Sequence, residues 1–385
     1  MNRNGLEKDS LQILIVEFGP HAQVIVPWLL SSTAITNSTP KVFVPSQVVE
    51  PLRDHLKNYH LIADVLTTDS IVQEIKKFSF QQRANFKIVV TSSPESRVSI
   101  KTVLTILFLA LICCDVICIR SPREWFYSTR RRAPVPRFSK RWLMYLRIYC
   151  LDLVSYLAER SLFLQSRKVV FEHQNMMDFF LLKSKSPFRK PNLVFSGRMQ
   201  HFNYGLDQKS PFKLKNADTK LLGIGILGTL NSERRDYRQL KLALESLEKQ
   251  GYLPRLYFLG GHVGSDSEKV IDLFHKFVQF APSNESNYVQ DTQILLMESE
   301  IDILIAPFSE NWGYSQGKSS GSVADAIYLM KPLILPRFVK HIFDYEWISY
   351  FSTAEELCDL ISRFHSLPLP IVDLSEGELT SFLRE

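Results

Sequence analysis

The stretch LLGIGILGTLNSERRDYRQLKLALESLEKQG, residues 221–251, contains the unit from which the fold is built. Its first residues form an apolar run that enters a glycine turn, which is typical of a strand buried on both faces of a parallel sheet. The spacing of apolar residues over Asp236–Gln250 predicts a helix, and Gly251 stands where glycine commonly ends one. The order of strand, turn and helix predicts part of a βαβ unit.

The same unit recurs after this stretch. The sequence predicts a strand at Arg255–Leu259 that ends in Gly260-Gly261, a helix at Lys269–Phe280, a strand at Ile301–Ala306, a helix at Ser320–Met330 and a strand at Pro332–Leu335. This alternation predicts a doubly wound α/β domain with a parallel sheet.

The N-terminal half shows the same alternation. Short β-branched runs predict strands at Ile13–Val16, Val42–Val44, Ile88–Val90, Val116–Ile119 and Val169–Phe171, with helices such as Val48–Tyr59, Ile71–Phe78 and Lys140–Leu164 between them. A polar, proline-rich break near Pro187–Lys220 follows, in which Leu193–Phe195 is expected to close the first sheet.

The 385 residues are therefore expected to form two Rossmann-like doubly wound domains that face each other across a cleft. We expect an N-terminal domain over residues 1–200, a linker over 201–220 and a C-terminal domain over 221–365. The tail, residues 366–385, is expected to pack back on the N-terminal domain.

Composition narrows the class of protein. The five cysteines have no paired spacing, which argues against disulfides and a zinc site and favours a reducing, cytoplasmic compartment. The polar N-terminus shows no signal peptide. The apolar run Val103–Cys114 is shorter than the roughly 20 residues that span a bilayer, so a buried helix is the better interpretation.

The strongest local motif is YSQGKSSGSVADA, residues 314–326, between a predicted strand and a predicted helix. The free N–H groups and the positive dipole end of a helix N-terminus attract a phosphate. The candidate ligand-binding residues here are Tyr314, Lys318, Ser319, Ser320 and Gly321, with Asp325 one turn further as an acceptor for a ribose hydroxyl. The alternative is an ordinary N-capped helix with an exposed lysine.

Two further glycine turns follow strands of the second domain. Gly228 and Thr229 precede Arg234 and Arg235, whose guanidinium groups suit a diphosphate. The second turn, Gly260-Gly261, is expected to lie along a nucleotide. The alternatives are a turn with exposed arginines paired to nearby acids, and a simple tight turn.

In the first half, polar residues follow several predicted strands, where ligands of parallel sheets bind. The loop Gly19-Pro20-His21 comes first, and His21 suits proton transfer or the holding of a hydroxyl near neutral pH. The other candidates on the acceptor side are Gly19, Glu95, Arg120 and Glu172. A loop histidine is often structural, and that interpretation stays open for His21.

Together these features resemble the GT-B glycosyltransferases, and within them the glycosyl transferases group 1, or family 4, set. The resemblance covers roughly residues 221–340; Arg234 matches the diphosphate-binding lysine of that set, and Asp325-Ala326 matches its ribose-binding Glu-Ala. Thr229 stands in place of the usual arginine. Gly317 stands in place of the first glutamate, and Glu310 lies further upstream, so retention or inversion of configuration stays open.

The resemblance implies a hexosyltransferase that needs no cofactor besides its nucleotide-sugar co-substrate. No Asp-x-Asp stands at a predicted strand end and no His, Cys and carboxylate cluster has ligand spacing, so we expect a metal-independent enzyme, with His21 at the sheet edge as the catalytic residue. The expected acceptor is a glycan or lipid-linked glycan of cell-surface polysaccharide or glycoconjugate synthesis. The alternatives are an inactive binding protein of the same fold and a nucleotide-sugar epimerase. No nucleic-acid-binding module is present, so nucleic acid is not an expected partner.

A basic and aromatic segment lies in the N-terminal half. Arg130, Arg131, Arg132, Arg137, Lys140, Arg141 and Arg147 surround Trp142, Tyr145 and Tyr149. Basic residues are attracted to anionic lipid, and interfacial aromatic side chains add anchoring. We therefore expect peripheral contact with the inner face of the membrane, the alternative being a solvated basic face over a core helix.

Overall fold

The computed structural model describes residues 11–19, 24–58, 60–76, 86–92, 99–112, 114–119, 153–154, 157–171, 177–178, 193–195, 220–262, 264–282, 289, 291–312, 314 and 320–370. These residues belong to two compact units, with 11–195 in the first unit and 220–370 in the second. The predicted positions Lys318, Ser319, His21, Glu95, Arg120 and Glu172, the basic and aromatic segment 130–149, residues 201–219 of the linker and residues 371–385 of the tail lie outside the described residues.

The first unit is built on a parallel sheet. Its strands are β1 (Gln12–Val16), β2 (Lys41–Val44), β3 (Asp64–Thr67), β4 (Phe86–Val90), β5 (Val116–Ile119), β6 (Lys168–Phe171) and β7 (Leu193–Phe195), in the order β3-β2-β1-β4-β5-β6-β7. The helices are α1 (Val26–Thr33), α2 (Val49–Asn58), α3 (Ile71–Lys76) and α4 (Ile100–Leu111), and residues 157–165 are also helical. The predicted edge strand Leu193–Phe195 is confirmed, since it pairs in parallel with β6.

Both faces of the first sheet are covered. Leu14 and Val16 of β1 pack into one hydrophobic cluster, whereas Ile13 and Ile15 pack into another on the opposite face. Successive side chains of a strand point to opposite faces, so a strand covered on both sides must be apolar throughout. This explains why the strands appear in the sequence as continuous apolar runs.

Helix α4 contains most of the apolar run that begins at Val103. Ser99 caps its N-terminus by accepting a hydrogen bond from the Thr102 N–H, and Val103, Ile106 and Leu109 are buried at helical spacing. The expected buried helix is therefore confirmed, although Leu104 and Leu111 on its other face are 59% and 82% exposed. Within the described ranges, no helix has the length and apolar character needed to cross a bilayer.

The second unit repeats the architecture. Its strands are β8 (Leu221–Ile226), β9 (Leu253–Phe258), β10 (Val278–Phe280), β11 (Ile303–Ile305), β12 (Leu333–Pro336) and β13 (Ile348–Phe351), in the order β10-β9-β8-β11-β12-β13. Its helices are α5 (Arg238–Lys249), α6 (Gly264–Leu273), α7 (Asp291–Met297), α8 (Gly321–Leu329) and α9 (Ala354–Ser362). Helix α5 buries Leu240, Ala243, Leu244 and Leu247 against the sheet, and Gly251 follows it with φ +84°.

The expected helix at Lys269–Phe280 is wrong in its second half. Helix α6 ends at Leu273, and Val278–Phe280 is instead the edge strand β10. The buried rings of Phe274 and Phe277 turn the chain into the core, where the Phe277 carbonyl accepts a hydrogen bond of 2.8 Å from the Leu256 N–H. Pairing with β9 satisfies these backbone groups and overrides the local helical preference.

Candidate functional site

Each sheet has a point at which the direction of winding reverses. In the second unit, β9 and β10 lie on one side of β8, and β11, β12 and β13 lie on the other. At such a switch point the loops that follow two neighbouring strands diverge and leave a crevice at their carboxyl ends, where ligands of α/β sheets commonly bind. The loops after β8 and β11 therefore border such a crevice.

The loop after β8 is held across the end of β11. The Arg235 backbone forms an antiparallel bridge with Phe308, the Asp236 N–H donates to the Pro307 carbonyl at 2.8 Å, and the Ser309 N–H donates to the Arg234 carbonyl at 3.0 Å. These bonds place the two arginines at the switch point.

The same loop is also braced by side chains. The Arg234 N–H donates to the Asn231 side-chain oxygen at 3.0 Å, and Asp266 at the start of α6 accepts from the Ser232 N–H and hydroxyl, both at 2.7 Å. These bonds tie the loop to one of its own side chains and to the helix that follows β9.

Arg235 is a buried cation stacked on aromatic rings. It is 3% exposed, and its guanidinium carbon lies 4.7 Å from the centre of the Phe308 ring and 5.7 Å from that of Tyr314. The two rings stack on each other at 4.1 Å between their centres. Stacking on aromatic faces favours a cation, and it fixes the plane of the guanidinium.

Burial leaves Arg235 with unmet hydrogen bonds. Its Nε and Nη1 atoms have no hydrogen-bond partner among the described residues. Burial lowers the pKa of the guanidinium below its ordinary value, although the phenols of Tyr314 and Tyr237 act in the opposite direction. A buried charge without partners is costly unless an opposite charge comes to it, so this side chain suits an anionic ligand.

Gly228 lies directly against this guanidinium. The position of a Cβ on Gly228 would be 1.7 Å from Arg235 Nη2, and the residue has φ +83°, which favours glycine. A Cβ on Gly260, at the end of β9, would in turn lie 1.8 Å from the Gly228 carbonyl oxygen. The two glycine turns predicted from the sequence therefore touch each other, and both need glycine for close approach.

The other predicted residues on this edge lie around the arginines. Arg234 is half-buried, and its Nη2 lies 3.5 Å from the Tyr314 hydroxyl. The Gly261 carbonyl accepts from the Leu230 N–H at 3.0 Å, which continues the pairing of the two turns past Thr229. Tyr314 itself is 1% exposed, so its ring supports the arginines from within the core.

Helix α8 begins after the loop that follows β11. Ser320 is its N-cap and accepts a hydrogen bond from the Ser322 N–H at 3.3 Å, and a Cβ on Gly321 would lie 3.9 Å from Asp325 Oδ2. The cap bonds one N–H group of the first turn, and the Asp325 carboxylate lies close to Gly321 in that turn. The negative charge of Asp325 also acts to raise the pKa of Arg235, which links helix α8 to Arg234 and Arg235.

The first unit has its own switch point, between β1 and β4. Glu17 follows β1 and is fully buried; its carboxylate accepts hydrogen bonds from the Thr91 and Ser92 hydroxyls and from the Gly19 N–H at 2.7 Å. Of the predicted acceptor-side residues, Gly19 is thus tied to the loop after β4. Glu17 was not among the predicted site residues, although a carboxylate directly after a buried strand is the signal that could have identified it.

No protein-family model and no curated protein sequence matches the chain. Solved structures do. The chain is similar to an alpha-glucosyltransferase in complex with UDP-glucose and DNA containing an abasic site, at 10% identity and a TM-score of 0.54 over 97% of this chain and 94% of that chain.

Two further structures illustrate the range of these neighbours. A glycosyltransferase from Rickettsia africae ESF-5 is 12% identical, with a TM-score of 0.51 over 93% of this chain and 88% of that chain. A UDP-N-acetylglucosamine 2-epimerase from Rickettsia bellii is 9% identical, with a TM-score of 0.51 over 92% and 88%. At these identities the likeness shows the fold, two Rossmann-like domains of the GT-B type, which confirms the expected fold class.

Proposed function

We propose that the second unit binds a nucleoside-diphosphate sugar and that the protein transfers its hexose to a glycan or lipid-linked acceptor. The observation that supports this proposal is Arg235, a buried guanidinium beside the Gly228 turn at the switch point of the sheet, two nitrogens of which have no hydrogen-bond partner in the described part of the chain. A diphosphate has the charge and the acceptor atoms that such a group lacks.

In the proposed reaction, the bond between the anomeric carbon and the diphosphate oxygen breaks, and an acceptor oxygen takes its place on that carbon. Negative charge then develops on the leaving diphosphate. Arg235, Arg234, Lys318 and the α8 N-terminus that Ser320 caps would stabilise this charge, which is the role that a metal has in other transferases. We therefore propose that the reaction needs neither a metal nor a further cofactor, so that EDTA leaves the activity unchanged.

Asp325 would accept a hydrogen bond from a ribose hydroxyl. His21 would bind the reacting hydroxyl of the acceptor or take its proton. The Glu17 bonds to Gly19, Thr91 and Ser92 would hold in place the start of the loop that leads to His21. An epimerase would need carboxylates free to exchange protons. Glu17 is bonded on both oxygens and fully buried, so this carboxylate is not free for such an exchange.

The proposed location is the cytoplasmic face of a membrane. Exposed apolar residues of the first unit support it, because they lie on either side, in sequence, of the basic segment 130–147. They are Leu104 and Leu111 of α4, and Leu153, Val154, Leu157 and Leu164. An anionic lipid surface would satisfy the basic and the apolar residues together.

The direct test measures nucleotide binding to the native chain and to a variant without the buried charge. UDP, GDP and ADP, with their sugars, are screened for a rise in melting temperature, because only a ligand of the folded state raises it. In Arg235→Met the affinity for the stabilising nucleotide should fall roughly ten- to a hundred-fold, as expected for lost hydrogen bonds to a charged group.

Arg238→Met is the matched control, because Arg238 is exposed and paired with Asp236 at 2.6 Å. It removes the same charge three positions away and should leave the affinity unchanged. Arg235→Met should keep or gain stability, since it removes an unpaired buried charge. Equal nucleotide affinity in the native chain and Arg235→Met would contradict the proposed site.

A further inference from the structure

A second buried polar side chain lies beside the arginine site. The His262 side chain follows the Gly260-Gly261 turn, is 2% exposed, and neither ring nitrogen has a hydrogen-bond partner within the described part of the chain. An imidazole buried without partners leaves two hydrogen bonds unmade, each of which costs free energy. Such a residue points to a ligand.

The position of His262 is set by backbone pairing. It forms a parallel bridge with Leu230, two residues after Gly228, and the Leu230 carbonyl is held by the buried Ser267 hydroxyl at 2.6 Å. Strand β9 lies next to β8, on the side away from β11. His262, which follows β9, therefore lies about one strand spacing, roughly 5 Å, from the Gly228 turn that follows β8. A molecule whose diphosphate binds at Gly228 would therefore bring its adjoining group to His262.

The chemistry of imidazole indicates which group this is. An uncharged imidazole has one N–H donor and one bare nitrogen that accepts, whereas a phosphate oxygen only accepts. The edge of a nucleobase offers both a donor and an acceptor. We propose that His262 is a specificity-determining residue that hydrogen-bonds the nucleobase of the bound nucleotide, whose ribose is assigned to Asp325; this rests on the proposed function.

The test separates the two parts of the ligand. Calorimetry measures the affinities of UDP and of inorganic pyrophosphate for the native chain and for His262→Phe. The phenylalanine keeps a ring but has no hydrogen-bonding atom. UDP affinity should fall about ten-fold or more, while pyrophosphate affinity stays unchanged. The variant His262→Gln retains a donor and an acceptor near the Nε2 position. Its affinity for UDP should lie between that of the native chain and that of His262→Phe.

The melting temperature without ligand provides a second readout. The melting temperature of His262→Phe should equal or exceed that of the native chain, because the substitution removes unsatisfied buried nitrogens. His275→Phe is the matched control, since His275 is exposed on the same unit. It should change the affinity for neither UDP nor pyrophosphate.

Three outcomes overturn the inference: unchanged UDP affinity in His262→Phe, an equal loss of UDP and pyrophosphate, or a loss in His262→Gln as large as in His262→Phe. If the native chain binds none of UDP, GDP and ADP, the proposed function fails instead. If GDP or ADP is the nucleotide that binds, it replaces UDP in the same comparison.

Discussion

At the scale of single residues, the site consists of a cation and the glycine that makes room for it. Arg235 occupies the space into which a side chain at Gly228 would project, at 1.7 Å from the position of its Cβ. The sequence indicated both residues. It left open whether the arginines after the turn bind a diphosphate or are exposed and paired with nearby acids. The buried stack of Arg235 on Phe308 was not predicted, because Phe308 lies 73 residues further along the chain.

Gly228→Ala should therefore damage the site in two ways. A left-handed backbone costs a residue with a Cβ about 1–2 kcal/mol, and the methyl group must also displace the guanidinium. Gly251→Ala is the matched control, with φ +84° but only the flexible Lys220 Nζ at 3.1 Å from the Cβ position. In urea unfolding, Gly228→Ala should lose more stability than Gly251→Ala, and only Gly228→Ala should weaken UDP binding. An equal loss of stability with unchanged UDP affinity would contradict this prediction.

At the scale of elements, helix termini and strand ends position the site. Both α8 and α9 begin with a hydroxyl cap, since Ser320 accepts from the Ser322 N–H and Thr353 accepts from the Glu356 N–H. The two caps are similar locally, but α8 starts at the switch point, after β11, whereas α9 starts after the edge strand β13. The functions of two similar helix termini therefore depend on the strands that precede them.

Removing the two caps separately tests this difference. Ser320→Ala and Thr353→Ala should each lower the free energy of unfolding by about 1 kcal/mol, as lost N-caps do. Only Ser320→Ala should also weaken UDP binding, because the α8 N-terminus would lose its orientation toward the phosphate. Both quantities can be read from thermal unfolding with and without UDP. A weaker UDP affinity in Thr353→Ala would show that the helix terminus is not the cause.

At the scale of the whole molecule, both units expose large apolar side chains. Among the described residues, Leu111 of the first unit is 82% exposed and Leu296 of the second unit is 81% exposed. In the first unit, the exposed apolar residues at positions 100–164 lie on either side, in sequence, of the basic segment. The second unit contains the buried arginine and histidine of the proposed nucleotide site, so the units are expected to contact different partners.

Flotation with vesicles tests the proposed membrane contact. The chain should bind vesicles that contain anionic phospholipid at low salt and dissociate at high salt, because each basic residue near the surface contributes about 1 kcal/mol that salt screens. Neutralising Arg130, Arg131 and Arg132 should abolish binding. Neutralising Arg238, Lys249 and Arg255 of the second unit removes the same charge and should not. Absence of binding at low salt would exclude the anionic membrane as partner.

The sequence by itself determined the local structure. Continuous apolar runs predicted most strands of both sheets, because strands covered on both faces need apolar residues at every position. Glycines at turns and small polar residues before helices marked where the elements end, because these signals act within a few residues. The partly exposed strand β3 and the edge strands β10 and β13 were not predicted, because short strands with mixed burial lack such a run.

Only the tertiary structure decided which residues meet. The insertion of β11 beside β8 brings Phe308 and Tyr314 onto Arg235, and the pairing of β9 with β8 brings His262 beside Leu230. Likewise, Thr91 and Ser92 reach Glu17 because β4 lies next to β1. Each contact joins residues 30 or more positions apart, and no local spacing encodes the order of strands in a sheet, which follows from how the helices cover both of its faces.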